Sequence, residues 1–109
     1  MPSAGGLRVI ADGTITISST AKRFRTDFGD FGLTEEQVLD AEQIWLQSSD
    51  NVVRYRFDVD NLVTTTTGFV LNADEILEIK GKELIRVFSM IAESTDAIVW
   101  FTLFTRGIT

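Results

Sequence analysis

The sequence predicts an all-β domain, an antiparallel and jelly-roll-like β-sandwich with one short helical turn near residues 34–42. Short β-branched and aromatic runs recur along the chain. Polar turn residues separate them at the spacing of about eight to twelve residues that is typical of sandwiches and barrels. The chain has 109 residues, the length of one domain. We expect that single domain to span residues 7–109.

The apolar run at residues 97–105 contains no Gly or Pro and predicts a strand that is long enough to cross a small sheet. Alternate side chains of a strand point to opposite faces of the sheet. Both parities of this run are apolar, so both faces need a cover. We expect the parity that includes Val99, Phe101 and Leu103 to fill the core. The other parity, with Trp100 and Phe104, should lie under the chain's own irregular segment or against another subunit.

The N-terminal part predicts a tail followed by a hairpin. Residues 1–6 are small and Gly-rich, which indicates a flexible tail. Two β-rich runs, residues 7–10 and 14–17, flank residues 11–13, which read Ala-Asp-Gly. Asp-Gly tolerates the positive φ that a tight turn requires, so the sequence predicts a short hairpin here.

Residues 19–33 are the least regular part and predict an arm or loop. A basic stretch at residues 22–25 precedes two Asp-Phe-Gly triplets. That triplet also occurs at the magnesium site of protein kinases, but this chain lacks every other kinase element. In one interpretation the phenylalanines tuck into the edge of the core. In the other, an arm docks Phe24, Phe28 and Phe31 on a neighbouring molecule, and a chain lacking residues 1–32 would still fold.

The remaining elements follow from local patterns. Thr34 is a predicted N-cap, and Gln37 completes a capping box, so a helix of one or two turns should end near residue 42. Apolar periodicity then predicts further strands. These are residues 42–48, 52–59, 69–71, 75–79 and 84–92.

The composition excludes the commonest catalytic and metal chemistry. The chain has no His, which removes the usual general base and the commonest metal ligand. It has no Cys, which removes disulfides, thiolate nucleophiles and sulfur-bound metals. The net charge of −6 argues against a sequence-independent nucleic-acid binder. We predict no enzyme, no catalytic residue, no cofactor and no resident metal.

The sequence shows no recognisable targeting or membrane-spanning segment. Residues 1–6 have neither the charged nor the apolar region of a signal peptide, and no apolar run approaches the length that spans a bilayer. We therefore expect a soluble protein that is made in a cytoplasm and has no membrane partner.

Three polar or aromatic groupings have alternative interpretations. Asp58, Asp60 and Asn61, with Asp50 or Asp96, could offer oxygens to calcium, but turn formation explains them equally well. The adjacent acids at residues 35–36 and 74–75 are typical of solvated helix and turn positions and not of a glycosidase pair.

A sugar-binding face is the third grouping. It would use Trp45, Tyr55 or Trp100, although buried core aromatics are the commoner outcome.

Charge patterning suggests contacts within the chain or between copies. Arg54 and Arg56 share one face of a predicted strand, where cross-strand pairing with acids competes with a role in binding an acidic partner. Residues 22–25 are basic, and residues 26–42 contain acids without any base. Such segregation would suit complementary contacts between subunits.

Residues 43–104 carry a characteristic series of strands and turns. A strand, a turn and a strand end in residues 53–56 (Val-Arg-Tyr-Arg), and a threonine-containing linker leads to residues 68–71 (Gly-Phe-Val-Leu). Residues 73–76 precede a charged turn at Gly81, and residues 88–97 run into the final strand.

This series resembles small virion-associated proteins of tailed bacteriophages. In those relatives the segment after the position of Arg56 is an Asp-Gly turn with a proline, which residues 58–62 lack.

The resemblance implies a structural virion protein, either a capsid decoration or cement protein or an accessory part of the tail, baseplate or fibre. It implies a location in the virion, the major capsid protein or other virion proteins as partners, and a homo-oligomer, with a trimer favoured. A small carbohydrate-binding module is the alternative from another class. The candidate interface residues are Phe24, Arg25, Phe28, Phe31, Arg54, Arg56, Trp100 and Phe104.

Overall fold

A computed structural model of the chain describes residues 6–106. Its elements, in chain order, are β1 (Leu7–Ile17), a 3₁₀ turn (Phe28–Phe31), α1 (Glu35–Asp40), β2 (Gln43–Ser48), β3 (Val53–Phe57), β4 (Phe69–Leu71), β5 (Ile76–Lys80), α2 (Lys82–Val87), β6 (Phe88–Ala92) and β7 (Ala97–Arg106). The first five residues of the tail predicted at residues 1–6, and the domain's last three residues, lie outside the described range.

Two antiparallel sheets enclose one core. The first sheet has four strands in the order β1-β7-β2-β5, and the second has three in the order β4-β3-β6. The buried apolar side chains of both sheets belong to a single cluster. The prediction of an all-β antiparallel sandwich is confirmed.

The predicted N-terminal hairpin is wrong, because residues 7–17 form one strand. β1 pairs with β7 along its whole length, with a register shift between Val9 and Ala11. Gly13 does not adopt a positive φ. A Cβ at Gly13 would lie 3.2 Å from Cζ of Phe101, so this glycine lets a large ring pack against the strand and forms no turn.

Residues 18–33 connect β1 to α1 and run along the edge of the second sheet. Lys22 exchanges two backbone hydrogen bonds of 2.9 Å with Met90, and the Ala92 amide donates to the Ser18 carbonyl at 2.9 Å. This segment therefore covers the free edge of β6, which would otherwise expose unpaired backbone groups. It then turns inward towards the core.

Phe24 and Phe31 lie at the centre of that core. Their rings stack with centroids 4.2 Å apart, and both pack edge-on against Phe101, at 5.9 and 5.6 Å. Phe24 also contacts Phe88 of the second sheet at 6.0 Å. The arm interpretation is therefore wrong for these two residues. A chain lacking residues 1–32 would lose β1 and this cluster, so the structure predicts that it would not fold, contrary to the sequence-based expectation.

The structure confirms the predicted helix, α1, and contains a second helix, α2, that the sequence did not predict. The Thr34 hydroxyl accepts from the Gln37 amide at 3.2 Å, and the Gln37 side chain accepts from the Thr34 amide at 2.9 Å, which completes the predicted capping box. The strand predicted at residues 84–92 is wrong in its first half, where α2 connects β5 of one sheet to β6 of the other. No helix within residues 6–106 is long and apolar enough to cross a membrane.

The linker at residues 58–68 covers part of the second sheet. Val63 is buried, and its amide donates to the Ser89 hydroxyl at 3.0 Å. Gly68 has a φ of 110°, and a Cβ there would lie 2.7 Å from the Tyr55 carbonyl oxygen, so only glycine fits this crossing. As a result β6 is buried on both faces.

Candidate functional site

β7 has one buried face and one exposed face. Ala97, Val99, Phe101 and Leu103 point into the core and are almost completely buried, which confirms the expected core parity. The opposite parity is not covered by the irregular segment, since Trp100 is 56% exposed and Ile98 is 42% exposed. The expectation that the chain's own irregular segment covers this face is therefore wrong for Trp100 and Ile98.

Strand register assigns neighbours to these exposed side chains, because paired residues of adjacent strands point to the same face. Trp100 lies between Thr14 of β1 and Gln47 of β2, and Ile76 of β5 lies beyond Gln47. In the next row, Thr102 lies between Asp12 and Trp45. We call this surface of the four-stranded sheet the outer sheet face. It comprises Val9, Asp12, Thr14 and Thr16 of β1, Ile98, Trp100, Thr102 and Phe104 of β7, Gln43, Trp45 and Gln47 of β2, and Ile76, Glu78 and Lys80 of β5.

A cleft separates the two tryptophans of the outer sheet face. The Trp45 ring lies against Phe104, with centroids 4.9 Å apart, and Phe104 is one row further from Trp100. The space left between Trp45 and Trp100 has a volume of about 220 Å³. Its other lining side chains include Asp12, Gln47, Ile76 and Thr102.

The polar groups of this cleft are available to a ligand. The Gln47 side-chain amide donates to the Asp74 carbonyl at 3.0 Å, which fixes its orientation and leaves its oxygen as an acceptor. Asp12 is exposed, Thr102 is half-buried, and the side-chain hydrogen bonds within residues 6–106 involve neither of them. The cleft therefore combines two ring faces with an amide, a hydroxyl and a carboxylate.

The predicted interface residues do not share one surface. Trp100 and Phe104 lie on the outer sheet face, whereas Phe24 and Phe31 fill the core and Phe28 is half-buried against it. Arg25 has its Nη1 3.7 Å from Glu35 Oε2.

The charged stretches around Arg25 pair within the chain. Lys22 Nζ lies 2.7 Å from Asp30 Oδ2, and this hydrogen bond raises the pKa of Lys22. The basic stretch thus has partners in the acidic stretch that follows it, within one chain.

Arg54 and Arg56 also pair within the chain, on the second sheet. Arg54 donates from Nε and Nη2 to Glu93 Oε1, at 3.0 and 2.7 Å. Arg56 Nη2 lies 3.2 Å from Asp58 Oδ2. These contacts correspond to the pairing alternative, and neither arginine lies near the two tryptophans in the strand order.

Arg23 is a structural residue that the sequence interpretation did not single out. Its side chain is buried and donates to the carbonyls of Val87 at 2.9 Å, Asp58 at 2.6 Å and Val59 at 3.4 Å. It therefore ties the end of α2 to the linker that covers the second sheet. Nothing in a basic stretch distinguishes a buried arginine from its exposed neighbours.

The acidic turn considered for calcium is explained by hydrogen bonds. Asp58 accepts from the Asp60 amide at 2.9 Å and from the Asn61 amide and side chain, and these bonds lower the pKa of Asp58. Across residues 6–106, no group of three or more acidic side chains is arranged to hold a metal ion. Turn formation thus accounts for this segment.

Trp45 is the main residue of the outer sheet face that the interface prediction omitted. Its signal was present, because Ile44, Leu46 and Ser48 are buried and alternate with the outward Gln43, Trp45 and Gln47.

No protein-family model, curated protein or solved structure matches this chain.

Proposed function

We propose that this chain is a structural protein of a tailed-bacteriophage particle, a capsid decoration or cement protein that adheres to its neighbours through the outer sheet face. The sequence resemblance supports the phage setting. The single observation that carries the adhesive role is the exposure of large apolar side chains on the outer sheet face, with Ile76 62% exposed and Trp100 56% exposed.

The composition of the outer sheet face fits an interface. Aromatic residues are enriched at interface centres, and charged residues are depleted there and concentrated at the rim. Trp45, Trp100 and Phe104 lie on the two central strands, while Asp12, Glu78 and Lys80 lie on the edge strands. An apolar centre within a charged rim is the arrangement expected of a surface that another subunit covers.

Adhesion would stabilise the shell by removing this apolar surface from water. A specific interface buries at least about 1,200 Å² in total, and truncation of a central tryptophan costs about 2 kcal/mol or more of binding free energy. The partners would be the major capsid protein and other copies of this chain. A homo-oligomer, in particular a trimer at three-fold positions, would place several outer sheet faces around one axis.

Particle fractionation tests this proposal. Particles are separated into heads and tails, and mass spectrometry measures the copy number of this chain in each. We expect the chain in heads, and we expect Trp100→Ala to lower its copy number by more than tenfold. Phe69→Ala is the matched control, since Phe69 is 63% exposed but lies on β4 of the other sheet.

Recovery of the chain in the tail fraction would instead identify a tail, baseplate or fibre accessory protein. Absence of the chain from both fractions would refute a structural role in the particle.

A further inference from the structure

The cleft between Trp45 and Trp100 has a specific internal order. Trp100 and Gln47 are direct partners in one row of the outer sheet face, and Thr102 and Trp45 are direct partners in the next. The two rings therefore occupy one diagonal of a two-by-two block, and the amide and the hydroxyl occupy the other. Asp12 extends the block beyond Thr102.

This order suits a ligand that has apolar C–H faces and polar groups around its edge. A ring face of tryptophan packs against apolar C–H groups, and its size makes it an effective platform. The Thr102 hydroxyl donates and accepts, while the Gln47 oxygen and the Asp12 carboxylate accept hydrogen bonds from hydroxyl groups. A sugar ring has both features, because its C–H bonds form a face and its hydroxyls lie around the periphery.

The charge and the volume of the cleft narrow the class of ligand further. Within the described chain, the one charged side chain that lines the cleft is the carboxylate of Asp12, so an anionic ligand would be repelled. The volume of about 220 Å³ is smaller than the roughly 300–1,000 Å³ of pockets that enclose drug-sized ligands. We propose that this cleft binds a single ring of a neutral sugar. The inference does not rest on the proposed function, because it concerns the isolated chain; a subunit that covers the outer sheet face would occupy the same two tryptophans and compete with the sugar.

Tryptophan fluorescence tests this inference directly. The chain contains two tryptophans and both line the cleft, so tryptophan emission, excited selectively over that of Tyr55, reports on this site alone. The isolated protein is titrated with the methyl glycosides of glucose, galactose, mannose and N-acetylglucosamine, and with choline as a cationic probe. We expect a saturable change with at least one sugar, and a dissociation constant on the order of 1 mM because a single ring contributes few atoms.

A matched pair of variants assigns the response to the cleft. Thr102→Val removes the hydroxyl at nearly constant volume and should weaken sugar binding by about tenfold. Thr16→Val makes the same change on the same face, beside Ile98 and outside the cleft, and should leave the affinity unchanged. Amide chemical shifts of the unmodified protein, which should move around Asp12 and Gln47, provide a readout that needs no variant.

Three results would overturn the inference. The first is that none of the sugars gives a saturable response. The second is a response to choline in place of the sugars, and the third is an equal loss of affinity in the two threonine variants. Sugar-induced chemical-shift changes that are confined to residues outside the cleft would also overturn it.

Discussion

Replacement of Phe24 by Ala tests whether the irregular segment is part of the core. The Phe24 side chain is fully buried and contacts Phe31, Phe88 and Phe101, with ring centroids 4.2, 6.0 and 5.9 Å away. Truncation of a buried phenylalanine costs about 3–5 kcal/mol, because the surrounding groups fill the cavity only in part. A domain of this size has a total stability of about 5–15 kcal/mol, so the loss is a large fraction of it.

The assay is urea unfolding followed by circular dichroism, with thermal unfolding as a second measure. A loss of about 4 kcal/mol corresponds to a fall in Tm of roughly 15–30 °C, at about 4–8 °C per kcal/mol. Phe69→Ala is the control, since its exposed ring makes one aromatic contact, with Tyr55, and should cost about 1 kcal/mol. Equal losses in the two variants would refute the reasoning, as would a Phe24→Ala protein that is unchanged in stability and altered in oligomeric state alone.

Three further substitutions test separate parts of the fold. Gly13→Ala should destabilise the protein by about 1 kcal/mol in urea unfolding, because its Cβ would press on the Phe101 ring, whereas Gly29→Ala meets open space and should change stability by less than about 0.5 kcal/mol. Arg23→Met should cost about 1.5–3 kcal/mol by the same assay, since it leaves the partly buried carbonyls of Val87 and Asp58 without their charged donor; a cost below about 1 kcal/mol would contradict this role. The lowered pKa of Asp58 implies a stability contribution that is complete above the unfolded-state pKa of about 3.9 and is lost as the pH falls through the lower folded pKa. Asp58→Asn should therefore lose less stability on acidification than the parent protein, and identical pH profiles in urea unfolding would count against it.

Local signals predicted the elements that local interactions determine. The capping box of Thr34 and Gln37 predicted α1. The two-residue period of a strand divided β7 into two faces, and the face expected to fill the core is the buried one. The fold class was predicted from the regular spacing of short apolar runs and polar turns along the chain. In each of these cases the determining contacts lie within a few residues or within one strand.

The errors arose where contacts distant in sequence decide the structure. Asp12-Gly13 has the composition of a turn, but long-range pairing with β7 and the packing of Phe101 keep it in a strand. Phe24 and Phe31 are buried by Phe88 and Phe101, which lie more than fifty residues further along the chain.

The candidate site was predicted only in part, for the same reason. Trp100 and Phe104 were identified from β7 alone, because its second face was apolar. The cleft also needs Asp12 and Gln47, which come from the strands on either side of β7. A single sequence gives the faces of each strand, but it does not give the order of strands that brings those faces together.

The central claim is that the outer sheet face is covered by a partner in the assembled particle. Hydroxyl-radical footprinting with mass spectrometry measures this directly, by comparing oxidation of Trp45 and Trp100 in the isolated chain and in the particle. Both side chains are exposed in the isolated chain, at 42% and 56%. We predict that assembly lowers the oxidation rate of both tryptophans by at least about tenfold and leaves Phe69 unchanged. Equal oxidation of the tryptophans in the two states would contradict the account.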